Sequence, residues 1–426
     1  MLMINIRTIY LYLFSTLLLL SINLPTVYKE VKIVILMLLM LIVMYKIIKN
    51  EIHLTKEIAF LSMISFIGSG LFILNGMVNS NPGAIPSATV FIMWPIVYIL
   101  LLGVNNSIDI FKTFDKIMLF SSYFISIYGV YFLLGNASVI AEGLFFNIFP
   151  EDAYMGIGLS DGVVSVSMIN FSSLLFLGPF IFTKFLFSKN FKTTLIYIVA
   201  LLLLIGIVFL SGRRALLVTQ IFSLLLIYFI SFYINSKEIK YKIRKRLIHL
   251  FIYSSIFSFL VFNIVLYYYE IDFSLFWNNL IEGFSFGSSN DESTQIRTEQ
   301  FESLIDGWLS SPLFGNGLGA VASVIRDSNQ PWAYELTYIS LLFQTGIVGV
   351  LFYLLLVFYI IWQSIKLMKN KINIEYILPY LIGMISFLIG TASNPYLFKF
   401  DYMWVIFLPI MLINTYKIIA INQKNE

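Results

Sequence analysis

Apolar runs of about 20 residues recur along the whole chain, and no other feature of the sequence constrains the fold as strongly. A run of that length is enough for an α-helix to cross the roughly 30 Å hydrocarbon core of a bilayer. The composition agrees, because 59% of the 426 residues are hydrophobic and only 12% are charged, whereas about a quarter of the residues in soluble domains are charged. We therefore predict an all-α polytopic membrane protein with about twelve transmembrane helices, which begin near residues 4, 30, 57, 85, 117, 163, 192, 213, 246, 334, 374 and 398.

The positions of the charged residues predict the orientation of these helices. With both termini placed in the cytoplasm, most of the 27 lysines and arginines fall on the cytoplasmic side, and most of the 23 aspartates and glutamates fall outside. This distribution satisfies the positive-inside rule. The predicted regions are residues 1–269 with helices one to nine, a large external loop at 270–333, and residues 334–426 with helices ten to twelve.

Arginine is enriched among the few basic residues that this topology places outside. Four of the seven arginines lie there, but only three of the twenty lysines. Arg213 and Arg214 occupy a short connection that follows Gly212 and precedes a helix. One interpretation is a snorkelling pair that anchors a helix end. The other is a phosphate or diphosphate ligand, because a guanidinium can hold phosphate oxygens through two hydrogen bonds and a helix N-terminus favours an anion. Lysine would anchor a helix equally well, so the bias towards arginine favours the ligand.

The external loop contains an amphipathic helix that begins at about Thr294. Its apolar face carries Phe301, Leu304 and Trp308 at helical spacing, and Arg297 lies in the middle of that face. Arg297 is therefore predicted to point at the body of the protein, where its partner is either an external carboxylate or a bound ligand. The glycine-rich sequence SPLFGNGLGA follows, and it is suited to a tight turn and to close backbone approach.

Glu335 is the candidate general base. It shares a helical face with Tyr338, so it is an acid at the outer end of an otherwise apolar surface, and carboxylates at the membrane boundary are functional candidates. A solvated glutamate at a helix end is the competing explanation. The chain has no cysteine, and both histidines, His53 and His249, are predicted to be cytoplasmic. An external active site is then restricted to carboxylates, arginines and tyrosines, and we expect neither a metal site nor a cofactor.

Three motifs together resemble the superfamily of Wzy-type O-antigen polymerases and O-antigen ligases. They are LSGRRALL after a long apolar span, the pattern R-x10-W-x3-P-L-F-G-x-G-x-G from Arg297 to Gly319, and ELTYISLLFQTGIVG leading into the next span. The motifs cover about residues 205 to 365, and the twelve-span layout extends the resemblance over the whole chain. Each motif alone is degenerate, so the resemblance depends on their order, their spacing and their common outward face.

The resemblance implies a fold and an activity. The fold is that of a GT-C-type glycosyltransferase with a helical external loop domain between spans nine and ten. The activity is metal-independent glycosyl transfer on the outer face of a bacterial cytoplasmic membrane, with undecaprenyl-diphosphate-linked glycan as donor and acceptor. The positions that match arginines of the family that bind the lipid diphosphate are Arg213, Arg214 and Arg297. A second basic contact, for the diphosphate of the acceptor, would come from Arg326 or Lys399.

One departure from the family pattern separates polymerase from ligase. Ligases carry a histidine at the start of the helix that ends in TG-x-x-G, and the resemblance places Glu335 at that position and Tyr338 at the position of the pattern's tyrosine. This difference favours a polymerase of O-antigen, capsule or exopolysaccharide repeat units. The predicted catalytic residues are Glu335, Arg214 and Arg297, and the predicted substrate-binding residues are Arg213, Arg326, Tyr338 and Lys399.

Three alternatives stay open at this point. A ligase of the same superfamily would move a finished glycan onto another acceptor. A flippase or transporter would carry out no covalent chemistry, but the spans lack charged or proline-interrupted residues in their middle, which transport pathways generally need. A non-catalytic scaffold is the third. The expected partners are the lipid-linked glycan, the bilayer and, as an open question, a chain-length regulator protein; no nucleic acid is expected.

Overall fold

The described part of the chain has the architecture of a multi-pass helical membrane protein. The computed structural model describes residues 5–105, 107–136, 140, 144–150, 153, 155–160, 163–234, 237–238, 240–248, 252, 292–325, 327–370 and 373–425. The described residues are 78% helical, and eleven of their helices are long and apolar enough to cross a membrane. These eleven correspond to eleven of the twelve predicted spans. The predicted ninth span, which begins near residue 246, lies largely outside the described residues.

Twelve helices follow one another along the described residues. Their bounds are α1 Ile6–Asn23, α2 Lys29–Ile48, α3 Lys56–Val78, α4 Ala84–Val104, α5 Asp109–Asn136, α6 Leu174–Phe187, α7 Phe191–Leu210, α8 Arg214–Ser231, α9 Glu292–Leu309, α10 Thr337–Lys369, α11 Ile374–Gly390 and α12 Trp404–Asn425. All of them except α9 are candidate membrane spans.

The helix ends form two groups, one at each end of the bundle. At one end, the Thr26 N–H beyond α1 donates to the Asp401 carboxylate at 2.8 Å, and the Tyr338 hydroxyl of α10 bonds to the last turn of α11. At the opposite end, Lys417 of α12 pairs with Glu57 of α3. Consecutive spans joined by a short connection, such as α1 and α2, run in opposite directions. We call the first group the predicted outer end, because the charge pattern of the sequence places it outside.

Helices α6 and α11 form the centre of the bundle. The span that ends in α6 is 89% buried and the span that begins with α11 is 72% buried, whereas only 17% of the α2 span is buried. Aromatic rings fill the centre: Phe176 meets Trp404 edge-on at 4.8 Å between ring centroids, and Phe180 meets Tyr380 at 5.1 Å. Gly383 faces the ring of Phe176, so a side chain there would separate α6 from α11. Helices at the periphery of the bundle, such as α2, therefore expose apolar surface that suits contact with lipid, and α6 and α11 form the packed centre.

A β-hairpin, absent from the all-α prediction, precedes α6 at the predicted outer end. Strands β1 (Met155–Ser160) and β2 (Val163–Met168) pair antiparallel, with Met155 opposite Met168. The sixth helix is predicted to begin near residue 163, but α6 begins at Leu174, after a 3₁₀ turn. The sequence VVSVSM alternates with a period of two and is rich in β-branched valine, which favours a strand. Because these residues lead directly into the apolar run of α6, hydropathy merges the two elements.

Prolines occur inside four of the described spans: Pro86 and Pro95 in α4, Pro179 in α6, Pro379 in α11 and Pro409 in α12. The premise that no span is interrupted by proline is therefore wrong, and it no longer counts against a transporter. Packing with neighbouring helices allows a membrane helix to accommodate such a residue. The buried ion pairs Lys32–Asp401 and Lys184–Asp115 have N–O distances of 2.7 and 2.5 Å, and both lie near helix ends.

Helix α10 is broken at Gly346, where the glycine-rich loop 312–320 packs into the bundle. Gly346 has φ 63° and ψ −172°, a conformation essentially restricted to glycine. The loop satisfies the N–H groups beyond the break, because Ile347 donates to the Pro312 carbonyl at 3.0 Å and Val348 donates to the Leu313 carbonyl at 3.1 Å. Irregular backbone is tolerated next to membrane spans when the protein itself supplies its hydrogen bonds.

The same loop also binds the ends of α3 and α4. The Leu318 N–H donates to the Phe72 carbonyl at 3.0 Å, and the Gly83 N–H donates to the Gly319 carbonyl at 3.1 Å. Within the loop, the three glycines at positions 315, 317 and 319 have φ between 68° and 86°, and a Cβ at any of them would collide with neighbouring backbone. The close backbone approach predicted for this sequence is confirmed.

The break at Gly346 gives a first testable prediction. We expect Gly346→Ala to destabilise the protein by at least about 2 kcal/mol, because alanine rarely adopts this conformation and its Cβ would meet the Leu313 carbonyl. The measurement is the midpoint of thermal unfolding in detergent. Gly70→Ala in α3 is the matched control, because a Cβ there meets nothing within 4 Å. Equal melting of the two variants would show that the break is not required.

Candidate functional site

Four separate segments meet at the predicted outer end and bring together two of the predicted arginines and the predicted base. Arg213 lies between α7 and α8, Arg297 on α9, Glu335 just before α10, and Tyr396 in the connection between α11 and α12. Arg297 pairs with Glu335, and the charges of Arg213, Arg297 and Glu335 all act on the Tyr396 hydroxyl. We call these four residues the arginine site.

The partner of Arg297 is Glu335. The Arg297 Nε donates to Glu335 Oε2 at 2.7 Å, with side-chain exposures of 37% and 18%. This is the external carboxylate that the sequence left open as one of two partners, so the salt bridge accounts for the inward position of Arg297. It occupies only the Nε of the guanidinium. Among the described residues the two terminal nitrogens have no hydrogen-bond partner, and Arg297 can therefore hold Glu335 and a phosphate at the same time.

Arg213 is held by the β-hairpin. Its Nη2 donates to the Met168 carbonyl at the end of β2 (3.1 Å), and its guanidinium lies 5.9 Å from the ring centre of Phe171. Gly212 has φ 58°, which favours glycine, and a Cβ there would press against Ser165 of β2 at 3.2 Å. No carboxylate of the described residues forms an ion pair with Arg213. Its positive charge and its remaining N–H donors are available to an anion.

Tyr396 is the member of the site that the sequence analysis missed. Burial raises the pKa of its hydroxyl; the charge of Glu335 raises it further, and those of Arg213 and Arg297 lower it. The phenol is therefore protonated at neutral pH and can donate a hydrogen bond. The signal in the sequence was the aromatic segment NPYLFKFDY between two spans, but no spacing rule connects Tyr396 to arginines about 100 or 180 residues away.

Glu335 is positioned by contacts that join its segment to the glycine-rich loop and to the residues just after the loop. The preceding residue, Tyr334, is fully buried, and its hydroxyl accepts from the Ala322 N–H at 2.5 Å. Gln344 bonds the loop to the same segment, because its Oε1 accepts from the Gly319 N–H (3.1 Å) and its Nε2 donates to the Trp332 carbonyl (3.3 Å). The QTG portion of the third motif thus fixes the backbone that carries the carboxylate.

Helix α9 confirms the predicted amphipathic helix. It begins at Glu292, two residues before the predicted start, and Leu304 is fully buried against Tyr334 and Phe343. Phe301, predicted on the same face, remains 41% exposed. The apolar side of α9 therefore rests on the start of α10, and this contact brings Arg297 to Glu335.

The other predicted site residues lie elsewhere or outside the described chain. The Tyr338 hydroxyl donates to the Leu388 carbonyl at 2.5 Å, which fastens α10 to α11. Arg214 is half-buried in the first turn of α8 and has interaction partners. Lys399 lies two residues before Asp401, and the charge of Asp401 acts on its ammonium group. Arg326 is outside the described residues.

The comparisons with known proteins give no family assignment. The described residues contain no group of three or more His, Cys, Asp or Glu side chains that could hold a metal ion, and the expectation of metal-independent chemistry stays a prediction. A comparison with models of protein families found no match, and a comparison with curated proteins found no significant sequence similarity. The resemblance to O-antigen polymerases and ligases therefore rests on the three motifs alone.

Proposed function

We propose that the protein is a GT-C-type polymerase of oligosaccharide repeat units carried on undecaprenyl diphosphate. It works on the outer face of a bacterial cytoplasmic membrane and assembles O-antigen, capsule or exopolysaccharide. The growing glycan leaves its own lipid diphosphate and is attached to the terminal sugar hydroxyl of an incoming lipid-linked unit. The observation that carries the proposal is the meeting of Arg213, Arg297 and Glu335 around Tyr396, from four segments far apart in the sequence.

The charges of the arginine site suit a diphosphate leaving group. Among the four residues of the site as described, two guanidinium groups stand against one carboxylate, and both arginines keep N–H donors that no described residue uses. Fixed donors aimed at charge that grows in the transition state are often the largest single contribution to catalysis. The Tyr396 hydroxyl adds a neutral donor to the same space. A lipid diphosphate bound here would accept hydrogen bonds from donors that are already in position, and those from the arginines would be charge-assisted.

The reaction balances with these residues alone. The hydroxyl oxygen of the acceptor sugar forms a bond to the anomeric carbon of the donor glycan. The bond from that carbon to the diphosphate oxygen breaks, and its electron pair remains on the diphosphate, where Arg213 and Arg297 neutralise it. The proton of the attacking hydroxyl passes to the Glu335 carboxylate, which acts as general base. Undecaprenyl diphosphate is released, and the extended glycan remains on the lipid of the acceptor.

One incubation tests this proposal. The purified protein, in a bilayer disc, is supplied with a single defined undecaprenyl-diphosphate-linked repeat unit. We expect a ladder of products whose masses differ by one repeat unit, with one undecaprenyl diphosphate released for each new linkage. A single transfer to a different acceptor would indicate a ligase. Passage of intact units across a vesicle membrane, with no new linkage, would indicate a transporter and contradict the proposed chemistry.

A further inference from the structure

All three lysines that the topology places outside gather around one carboxylate. The Lys32 ammonium pairs with Asp401 at 2.7 Å, and the two side chains are only 6% and 9% exposed. Lys29 lies one helical turn before Lys32 on α2, and Lys399 lies two residues before Asp401. Lys29 and Asp401 are close enough for their charges to act on Lys399. We call these four residues the lysine cluster.

The single carboxylate of the cluster is already engaged. One oxygen of Asp401 accepts from Lys32 and the other from the Thr26 N–H at 2.8 Å. Lys32 also donates to the Leu24 carbonyl at 2.6 Å. Lys29 and Lys399 are exposed, and neither forms an ion pair with any described residue. Even with the exposed neighbour Glu30 counted, three ammonium groups face two carboxylates, so the cluster keeps a net positive charge.

The charge on Lys399 is not fully balanced by its surroundings. Partial desolvation of its ammonium group lowers its pKa, the nearby charge of Lys29 lowers it further, and Asp401 opposes both effects. An anion placed between Lys29 and Lys399 would relieve their repulsion. The buried Lys32–Asp401 pair and the Thr26–Asp401 hydrogen bond join the two segments that carry Lys29 and Lys399, so these segments are held side by side without a ligand.

The lysine cluster lies beside the arginine site and shares no residue with it. Tyr396 belongs to the arginine site and Asp401 to the lysine cluster, and the backbone between them spans at most about 18 Å even if fully extended. Two 3₁₀ turns, Tyr396–Phe398 and Phe400–Tyr402, shorten this distance. The charges of Arg213 and Asp401 both act on the buried Tyr402 hydroxyl, so the two groups are neighbours at this end of the bundle. The short segment between α11 and α12 thus contributes one residue to each of two positively charged groups at the predicted outer end.

We propose that the lysine cluster is a second lipid-phosphate site, in which Lys29 and Lys399 hold the diphosphate of the acceptor while the arginine site holds that of the donor. This inference rests on the proposed function for the identity of the lipid. Polymerisation needs two lipid diphosphates at the same time, and two such anions could not share the two guanidinium groups of the arginine site, one of which is paired with Glu335. Lysine suits the acceptor, because the acceptor's diphosphate stays attached and gains no charge during the reaction.

The test counts bound lipids. Undecaprenyl diphosphate is added to the protein in detergent, and the number of molecules bound per chain is read by native mass spectrometry. We expect two molecules on the wild type, and one at the same lipid concentration on the double variant Lys29→Gln, Lys399→Gln, because its second site should bind about tenfold more weakly. Both substituted residues are exposed, and the Lys32–Asp401 pair is left intact. The matched control is Lys56→Gln with Lys192→Gln, two exposed lysines at the opposite end of the bundle.

Three outcomes have separate meanings. Two bound molecules on the double variant would overturn the lysine site, whatever the activity. If phosphatidylglycerol binds the second position as well as undecaprenyl diphosphate does, the proposed site is also overturned, because the lysines would then bind lipid headgroups in general. Loss of the second molecule in a protein that forms no product ladder would support the site and contradict the polymerase. If the polymerase is correct and the lysine site is wrong, the double variant will form the ladder at the wild-type rate.

Discussion

Replacement of Arg213 by lysine is expected to lower the rate of polymer formation by about 100-fold or more. Removing one fixed donor from a site of growing negative charge typically lowers the rate by about 100-fold to 1,000-fold. Lysine keeps the positive charge but loses the planar fork that holds two phosphate oxygens. It also cannot reproduce the bond to the Met168 carbonyl while it reaches towards a ligand. The rate of ladder formation from one defined lipid-linked unit provides the measurement.

The control for this variant must separate chemistry from folding. Arg7→Lys is the matched substitution, because Arg7 is exposed at the opposite end of the bundle, and it should form polymer at the wild-type rate. Arg213→Lys should melt within a few degrees of the wild type, since one exchangeable contact to the hairpin is worth about 1 kcal/mol. A wild-type rate for Arg213→Lys would remove this residue from diphosphate binding and leave it only a structural role at the hairpin.

The spans were predictable because apolar length and charge alternation are local properties of the sequence. Eleven predicted spans have counterparts among the described helices. The hairpin was not predictable from hydropathy, because its valine-rich second strand runs into the apolar residues of α6. The break at Gly346 was also hidden. A glycine in a long apolar helix is usually tolerated, and only the contact with the loop at Leu313 forces the unusual conformation.

For the candidate site, residue type was more predictable than pairing. The position of Arg297 on the apolar face of α9 was enough to predict that it has a partner in the body of the protein. The identity of that partner, Glu335, depends on how α9 packs on Tyr334 and Phe343. Lys399 was predicted, as an alternative to Arg326, to supply the second basic contact for the acceptor's diphosphate. Its neighbours Lys29 and Asp401 were not predictable, because the Lys32–Asp401 ion pair that joins α2 to the segment before α12 links residues far apart in the sequence.

Glu335→Gln should lower the rate of polymer formation by about 100-fold to 10,000-fold, the range that a positioned general base contributes. Glutamine has nearly the shape of glutamate, and its carbonyl oxygen can still accept from Arg297 Nε, so the packing before α10 should be retained. Binding of undecaprenyl diphosphate should therefore stay close to that of the wild type. The measurements are the single-turnover rate and the lipid-binding affinity of the same preparation.

A purely structural role for Glu335 makes the opposite prediction. In that case the carboxylate serves only to hold Arg297, and loss of the charge should weaken lipid binding and lower the melting temperature together. Arg297→Gln provides the comparison, because it removes the guanidinium that donates to Glu335 and leaves the carboxylate in place. A Glu335→Gln variant that binds lipid normally and polymerises slowly separates the base from the salt bridge. Normal chain growth in this variant would require another proton acceptor.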